Sequence, residues 1–299
     1  MTSPDGAARP GDQIAAVTLA MQKVADLIVE GHDVVLTHGN GPQVGNLLVK
    51  NELAAAVVPP VPLDWCGAQT QATIGFIVVN ALERALAERG LRRPAAAVVT
   101  RTLVDGDDPG FTAPTKPVGR YLSRDEAQVL VDHGEVWQDR GERGWRRVVA
   151  SPEPLEVLDA GAVRVLVDAG YVVVAAGGGG IPCVRLDDGS VRGVEAVIDK
   201  DLTAALFARA LGADVLVIAT DVAHVATGWD TPQQRELGAV TTAELRALAA
   251  GGEFAGGSMG PKVEAVCRFV EAGGRRAAIC SLDDIAAAVD GDAGTVVTS

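Results

Sequence analysis

The feature that most constrains the fold is an apolar, β-branched run that ends in four consecutive glycines. Val172 to Ala176 leads directly into Gly177 to Gly180. Such a run is typical of a buried parallel strand that opens into a loop at its carboxyl end, the edge where open α/β sheets bind ligands. Because the loop lacks Cβ atoms, we expect a phosphate-bearing ligand to lie directly against its backbone. A loop that merely turns tightly explains the same glycines equally well.

Strand-like and helix-like segments alternate along the rest of the chain. Apolar residues recur at helical spacing over 14–28, 68–89 and 155–166, and short β-branched runs such as 215–219 indicate strands. Residues 105–149 are more polar and contain a hairpin-like pattern, so we expect a small insertion that protrudes from the sheet. This alternation predicts an α/β fold whose mostly parallel sheet is covered on both faces.

Charge and composition exclude several functional classes. The 299 residues carry a net charge of −13, which argues against a nucleic-acid partner. No apolar run approaches the ~20 residues of a membrane span, and Met1 to Gly11 does not resemble a signal peptide. The four cysteines are scattered without metal-binding spacing, which favours free thiols in a reducing cytosol over a zinc site.

Lysine is rare, and its positions are therefore informative. Of 26 lysines and arginines only five are lysines, and an ammonium and a guanidinium perform different tasks. Lys200 and Lys262 each lie in the first turn of a predicted helix, where a cation is unfavourable by ~0.3–1 kcal/mol. We favour a bound phosphate as the reason, although exposure to water would suffice for one lysine alone. Lys116, between two prolines, is predicted to be a movable arm or an ordinary surface lysine.

A second strand, glycine-containing loop and helix follow one another near the N-terminus. Gly39 and Gly41 flank Asn40 there, which either leaves backbone amides free to face an anion or simply joins a strand to a helix.

Three acidic residues fall on the predicted ligand edge. Asp199, Asp201 and Asp221 lie at the ends of elements, where a carboxylate holds Mg²⁺ directly or through water, orients a lysine, or caps a helix. The chain has neither a Walker A motif nor a dinucleotide-type GxGxxG. The sequence therefore indicates an anion site without indicating either common nucleotide-binding fold.

Several segments, taken in order, resemble those of the carbamate kinases, which belong to the amino acid kinase superfamily. The similarity runs from about Ile14 to the C-terminus, and a set of ordered motifs is far more specific than any one of them. The segments are HGNGPQVG at 38–45, PTKP at 114–117, AAGGGGIP at 175–182, EAVIDKD at 195–201, TDV at 220–222 and GSMGPKVE at 257–264.

The resemblance implies a three-layer αβα fold and a phosphotransferase with a carboxyl-type acceptor. The reaction would be reversible phosphoryl transfer between ATP and carbamate with Mg²⁺, giving ADP and carbamoyl phosphate. The protein would be a cytoplasmic homodimer of single-domain chains. Residues 12–160 would form the carbamate side, including the insertion at 105–149, and residues 161–299 the nucleotide side.

The resemblance also assigns roles to individual residues. The catalytic group would be Lys200 at the transferring phosphoryl group, Lys116 reaching in from the insertion, and Asp201 orienting the lysines. The substrate would be lined by Gly39, Asn40, Gly41, Gly178 and Gly179. The nucleotide would be held by Lys262, Asp221, Met259 and Gly260, with Mg²⁺ held mainly by the nucleotide phosphates rather than by a dedicated set of side chains.

One departure from the family pattern concerns the N-terminus. Carbamate kinases begin with an apolar strand and a Gly-Gly-Asn loop, and Met1 to Asp12 contains nothing similar. The resemblance implies that this strand lies centrally in the sheet and that the loop supplies amides to the phosphoryl group. Loss of comparable amides lowers rates by ~10²–10³-fold. We expect a misassigned start rather than a degenerate member, because every later motif is intact.

Three functions remain open from the sequence. The first is an active carbamate kinase, in either physiological direction. The second is a catalytically impaired paralogue that binds nucleotide, which the absent loop favours and the three motif lysines oppose. The third is a superfamily kinase that acts on another small acid, which the segments at 38–45 and 257–264 oppose.

Overall fold

The computed structural model describes residues 9–132, 134–254 and 258–299. None of the α-helices in these ranges is long and apolar enough to cross a membrane. The helices are α1 (Pro10–Val29), α2 (Gly41–Ala54), α3 (Leu63–Glu88), α4 (Arg124–Val131), α5 (Ala160–Asp168), α6 (Lys200–Leu211), α7 (Thr242–Ala250), α8 (Met259–Glu271) and α9 (Ile285–Asp290).

The strands of the described chain are mostly short, and many follow or precede a helix. They are β1 (Val35–Leu36), β2 (Ala95–Ala97), β3 (Arg101–Leu103), β4 (Lys116–Leu122), β5 (Trp137–Asp139), β6 (Trp145–Val149), β7 (Glu156–Val157), β8 (Val172–Val174), β9 (Ile181–Arg185), β10 (Val191–Gly193), β11 (Val215–Thr220), β12 (Val225–Thr227), β13 (Arg235–Leu237), β14 (Ala239–Thr241), β15 (Arg276–Ser281) and β16 (Thr295–Thr298).

Two sheets form the middle of the molecule. In the first, β8 lies between β1 and β2, and both pairings are parallel. In the second, the order is β11-β15-β16-β14, with β11 parallel to β15, β14 parallel to β16, and β15 antiparallel to β16. Within the described residues, β1 and β11 each have a strand partner on one side only. The α/β fold with mostly parallel central strands is confirmed.

The side chains of β8 show why helices cover both faces of the sheet. Val172 and Val174 pack into a core with α1 and α3, whereas Val173 packs against α5 and α6. Strand β15 alternates in the same way: Ala278 faces the cluster that includes α1 and α9, and Ile279 faces the cluster of α6 and α8. Because successive strand residues point to opposite faces, these two cores make the three-layer αβα arrangement.

The insertion folds as a separate antiparallel unit. Strands β4, β6 and β5 pair in that order, and Trp137 lies opposite Arg147 in the predicted hairpin. Helix α4 packs Ala127 against Trp137 and Leu122 in a small core of its own. Lys116 is the first residue of β4, opposite Val149, so that it stands where the insertion leaves the main body.

A third sheet, in the order β10-β9-β3-β7, corrects one prediction. The helix expected over 155–166 begins only at Ala160, because the amides of Leu155 and Leu158 donate to the carbonyls of Leu103 and Arg101. Pairing with β3 therefore overrides the helical spacing of these apolar residues. The start of the helix expected over 68–89 also differs from the prediction, but in the other direction: α3 begins earlier, at Leu63, directly after Pro62.

Replacing Ile279 with alanine tests the contribution of the central strand β15. This side chain is fully buried between β11, α8 and β16, so the cavity should lower the free energy of unfolding by ~2–5 kcal/mol. Urea denaturation measures the change, and Val165→Ala, which alters an apolar residue 66% exposed, should change it by less than ~0.5 kcal/mol. Equal losses from the two variants would contradict this account of the core.

Candidate active site

A buried carboxylate lies between two lysines at the N-termini of two helices. One oxygen of Asp201 accepts a hydrogen bond from Lys200 Nζ at 2.6 Å, and the other accepts one from Lys262 Nζ at 2.8 Å. Asp201 and Lys262 are each only 5% exposed. Lys200 is the first residue of α6 and Lys262 lies in the first turn of α8, which confirms their predicted positions.

The third motif lysine reaches the same region from the insertion. Lys116 Nζ donates to Asp199 Oδ2 at 3.0 Å. The other oxygen of Asp199 caps α6 by accepting from the amides of Asp201 at 2.9 Å and Leu202 at 3.3 Å. Burial alone would raise the pKa of the Asp199 carboxyl, but Lys116 and the two amides outweigh it, and the pKa lies below its ordinary value.

The local charge therefore does not cancel. Three ammonium groups stand against the two carboxylates of Asp199 and Asp201, which leaves one positive charge at the N-terminus of α6. The positive end of the helix dipole adds to it. This arrangement is suited to an anion that contacts several cations at once.

The loop before α2 brings free amides to this cation cluster. A Cβ placed on Gly39 would lie 3.4 Å from Cδ of Lys200, so the lysine stem runs directly over this glycine. The amides of Gly39, Asn40 and Gly41 donate to no group within the described chain. The Asn40 side chain is buried and donates to Thr70 Oγ1 at 2.9 Å. These amides are free to donate to a ligand, in agreement with one of the two interpretations that the sequence left open for this loop.

The four-glycine turn, in contrast, donates most of its amides to carbonyls of the protein. Gly178 N donates to the carbonyl of His38 at 2.7 Å, and the amides of Gly179 and Gly180 donate to the carbonyls of Ala176 and Gly177 at 3.1 Å. Only the amide of Gly177 has no acceptor in the described chain. Three of the four amides are thus taken up by protein carbonyls, which favours the tight turn among the two interpretations that the sequence left open.

Close packing explains why these positions are glycine. A Cβ on Gly178 would overlap the Asn40 amide, and one on Gly177 would overlap the His38 ring. Gly178, Gly179 and Gly180 all have positive φ, which side chains disfavour. These contacts favour the tight-turn interpretation, because the absence of Cβ atoms admits the Asn40 and His38 side chains to the backbone.

Of the remaining predicted nucleotide residues, two lie at the start of α8, next to Lys262. Met259 and Gly260 are half-buried, and a Cβ on Gly260 would lie 2.9 Å from the Phe254 carbonyl. Asp221 follows β11 and is exposed, and its only hydrogen bond in the described chain comes from Thr220 Oγ1 at 3.0 Å. Gly257 of the same motif lies outside the described residues.

Two kinds of contact had no usable sequence signal. Thr102 and Thr203 both donate to the carbonyl of Gly179, and Gln71 donates to that of Gly177. A threonine in a strand or helix is ordinary in a sequence, and its partner depends on the tertiary fold. The position of Asp199 directly before a helix indicated a helix cap in the sequence. Its pairing with Lys116, 83 residues away, could not be predicted from the sequence.

The chain is similar to known proteins along almost its entire length. The amino acid kinase family model matches residues 4–281. A carbamate kinase from Thermococcus kodakarensis is 44% identical over 291 residues, 96% of this chain and 92% of that protein. The carbamate kinase-like protein YahI of Escherichia coli is 43% identical, over 95% and 90% of the two chains. The structure of carbamate kinase from Giardia lamblia bound to AMP-PNP is 39% identical, with a TM-score of 0.93 over 100% and 95% of the two chains.

The two roles of Asp199 are separated by replacing it with asparagine or alanine. Asparagine retains the helix cap but loses the charge that faces Lys116, whereas alanine loses both, so alanine should reduce the free energy of unfolding by ~1 kcal/mol more. Urea denaturation at neutral pH measures this difference, and equal losses would show that Asp199 does not cap α6.

Acidification provides a second measurement on the same variants. Because the pKa of Asp199 is lowered in the folded chain, its charge stabilises the fold above the ordinary carboxyl pKa of ~3.9. That contribution should decrease as the pH falls from there through the folded pKa. The stability difference between wild type and Asp199→Asn should accordingly be constant near neutrality and shrink in acid.

Proposed function

The chain belongs to the amino acid kinase family and, within it, to the carbamate kinases, and we propose that it transfers a phosphoryl group reversibly between ATP and carbamate. Transfer from ATP to carbamate gives ADP and carbamoyl phosphate. The observation that carries the proposal is the cation cluster formed by Lys116, Lys200 and Lys262 around Asp199 and Asp201. Phosphoryl transfer requires mainly positioning and charge stabilisation, which such a cluster supplies without a covalent nucleophile.

Each lysine contributes differently to the proposed reaction. Lys200, which runs over Gly39, is placed to contact the transferring phosphoryl group between the two substrates. Lys262 is almost fully buried, so that its charge acts in a region of low dielectric on the nucleotide phosphates. Lys116 extends from the insertion and exchanges its contact with Asp199 for a substrate oxygen. Asp201 holds Lys200 and Lys262 at a fixed separation.

The substrates would then lie on opposite sides of Lys200. The free amides of Gly39, Asn40 and Gly41 support carbamate binding on the side formed by residues 12–160. Met259 and Gly260, together with Asp221, are proposed to line the nucleotide on the side formed by residues 161–299. Gly178 and Gly179 act in this proposal as the framework that supports Asn40, in agreement with their packing.

Mg²⁺ fits this site only as a companion of the nucleotide. Both oxygens of Asp201 and both of Asp199 already accept hydrogen bonds from the protein, and the described residues include no group of three or more His, Cys, Asp or Glu able to hold a metal. We propose that the nucleotide phosphates hold the ion, whose chemistry is to neutralise their charge. A cytoplasmic location is proposed on the basis of four free, buried cysteines.

ATP formation from ADP, Mg²⁺ and carbamoyl phosphate tests the proposal. The purified 299-residue chain should be active, and Lys200→Ala should lower kcat by ~10²–10³-fold because a group that stabilises transition-state charge is lost. Lys50→Ala is the matched control, since Lys50 is exposed on α2, and its activity should equal that of wild type.

The outcomes separate the alternative functions. A folded chain that forms no ATP, even with the N-terminal strand and Gly-Gly-Asn loop typical of carbamate kinases added, would refute the proposed reaction. Turnover with acetyl phosphate but not with carbamoyl phosphate would indicate a kinase of another small acid. Binding of ADP without turnover of either compound would indicate a nucleotide-binding paralogue.

We further propose that the chain forms a homodimer through an uncharged face of α3. Residues 65–82 contain no charged side chain, yet the outer face of α3 is exposed, with Trp65 at 60% and Phe76 at 65%. Two copies of a chain of charge −13 repel each other, and this repulsion is weakest where uncharged faces meet. Strand β2 lies beside this face with one unpaired edge in the described chain, and exposed apolar patches of this kind mark interfaces.

A charge introduced into the α3 face should separate the two copies. Phe76→Glu places two like charges at the proposed interface, and sedimentation should then give the monomer mass of 30.7 kDa instead of twice that value. Val165→Glu is the control, because Val165 is equally exposed on α5 and should leave the dimer intact. A wild-type monomer, or a Phe76→Glu dimer, would contradict the proposal.

A further inference from the structure

A single backbone carbonyl receives two fully buried hydroxyl groups from different elements. Thr102 Oγ1 on β3 donates to the carbonyl of Gly179 at 2.8 Å, and Thr203 Oγ1 on α6 donates to the same oxygen at 3.1 Å. Both threonines are 0% exposed. Because a carbonyl oxygen has two lone pairs, these two donors satisfy it completely.

The second hydroxyl comes from the helix turn that carries the charged residues. Thr203 is three residues after Lys200 and two after Asp201 in α6, and its amide donates to the carbonyl of Asp199 at 3.0 Å. A rotation or a shift of α6 along its axis would break the bond to Gly179. The bond thus fixes the helix relative to the glycine turn.

The other side of the carbonyl is fixed just as firmly. Thr102 lies in β3, which pairs with β9 directly after the turn, and a Cβ on Gly179 would lie 2.7 Å from the carbonyl of Ile198. The turn therefore has little room to follow α6 if the helix moves. Gly178 of the same turn packs against Asn40. The glycine turn therefore also supports the loop at 39–41.

We propose that Thr102 and Thr203 are positioning residues, which set the placement of Lys200 and Asp201 against the loop at 39–41 through the carbonyl of Gly179. Neither side chain contacts the reacting groups. This inference rests on the proposed phosphoryl transfer. It adds that the carbonyl of Gly179 aligns Lys200 and Asp201 on α6 with the loop at 39–41. Misplacement of catalytic groups by about 1 Å lowers rates on the order of 10²-fold. Loss of the two threonine hydrogen bonds to Gly179 should therefore act mainly on kcat.

The experiment uses Thr203→Val, Thr102→Val and the double variant of the full chain. Valine preserves the shape of threonine but removes the donor. The double variant should lose kcat on the order of 10²-fold and each single variant less, and the two single effects should not combine independently, because both act on one oxygen. Thr203→Ser, which restores the hydroxyl, should recover most of the rate.

Thr295→Val is the control for a purely structural loss. Thr295 is also 0% exposed, accepts from Val225 N and donates to the carbonyl of Leu237, but it lies in β16 away from the lysines. It should lower the melting temperature without lowering kcat. If Thr203→Val and Thr102→Val reduce kcat no more than Thr295→Val at a comparable loss of melting temperature, the positioning role is refuted.

Amide hydrogen exchange separates failure of this inference from failure of the proposed reaction. A chain that forms no ATP even with the family's N-terminal strand and Gly-Gly-Asn loop added would refute the reaction. Exchange at the amides of Asp201 and Leu202 would then still test the positioning role of the two threonines. Faster exchange in the double variant than in Thr295→Val would support it. Equal exchange would overturn it.

Discussion

The site depends on one buried carboxylate that holds two ammonium groups. Lys200 and Lys262 would repel each other without Asp201 between them, and Asp201 could not be buried as an anion without partners. Asp201 and Lys262 are separated by 61 residues in the chain, and the two lysines come from the first turns of α6 and α8. An ion triad of this kind is a weak source of stability, which suggests that its geometry is retained for the reaction.

The two glycine-containing loops use their backbone amides differently. Four consecutive glycines look like the better phosphate cradle, but three of their amides already donate to protein carbonyls, two within the turn and one at His38. The loop at 39–41 contains fewer glycines and leaves its amides free. Glycine therefore serves at 177–180 for close packing and positive φ, and the packing of that turn supports Asn40 in the other loop. Composition alone cannot distinguish these uses, because the distinction depends on which groups approach from elsewhere in the fold.

Local signals in the sequence account for much of the fold. Helix α7 begins at Thr242 because Thr241 and Glu244 form a capping box at its start. Helix α6 ends at Leu211, before Gly212, whose φ of 61° suits a helix C-cap. The helix prediction for residues 155–158 was wrong for a tertiary reason, because β3 offers backbone hydrogen-bond partners that outweigh the helical spacing of the apolar residues. The pairing of Lys116 with Asp199 was equally invisible, since it joins an insertion to a helix cap. Sequence reasoning identified the lysines, and the fold was needed to identify what holds them.

An acidic protein that binds anionic substrates must oppose its own net charge locally. The charge of −13 is spread over the whole chain, and at physiological ionic strength its effect is screened over about 8 Å. The excess positive charge around Asp199 and Asp201 acts at hydrogen-bond distance in a partly buried region, where screening is weak. Lysine suits this role better than arginine, since a compact ammonium can pass from a carboxylate to a phosphate without reorienting a planar group. Elsewhere in the described chain, arginine rather than lysine forms most of the surface ion pairs, where this exchange is not required.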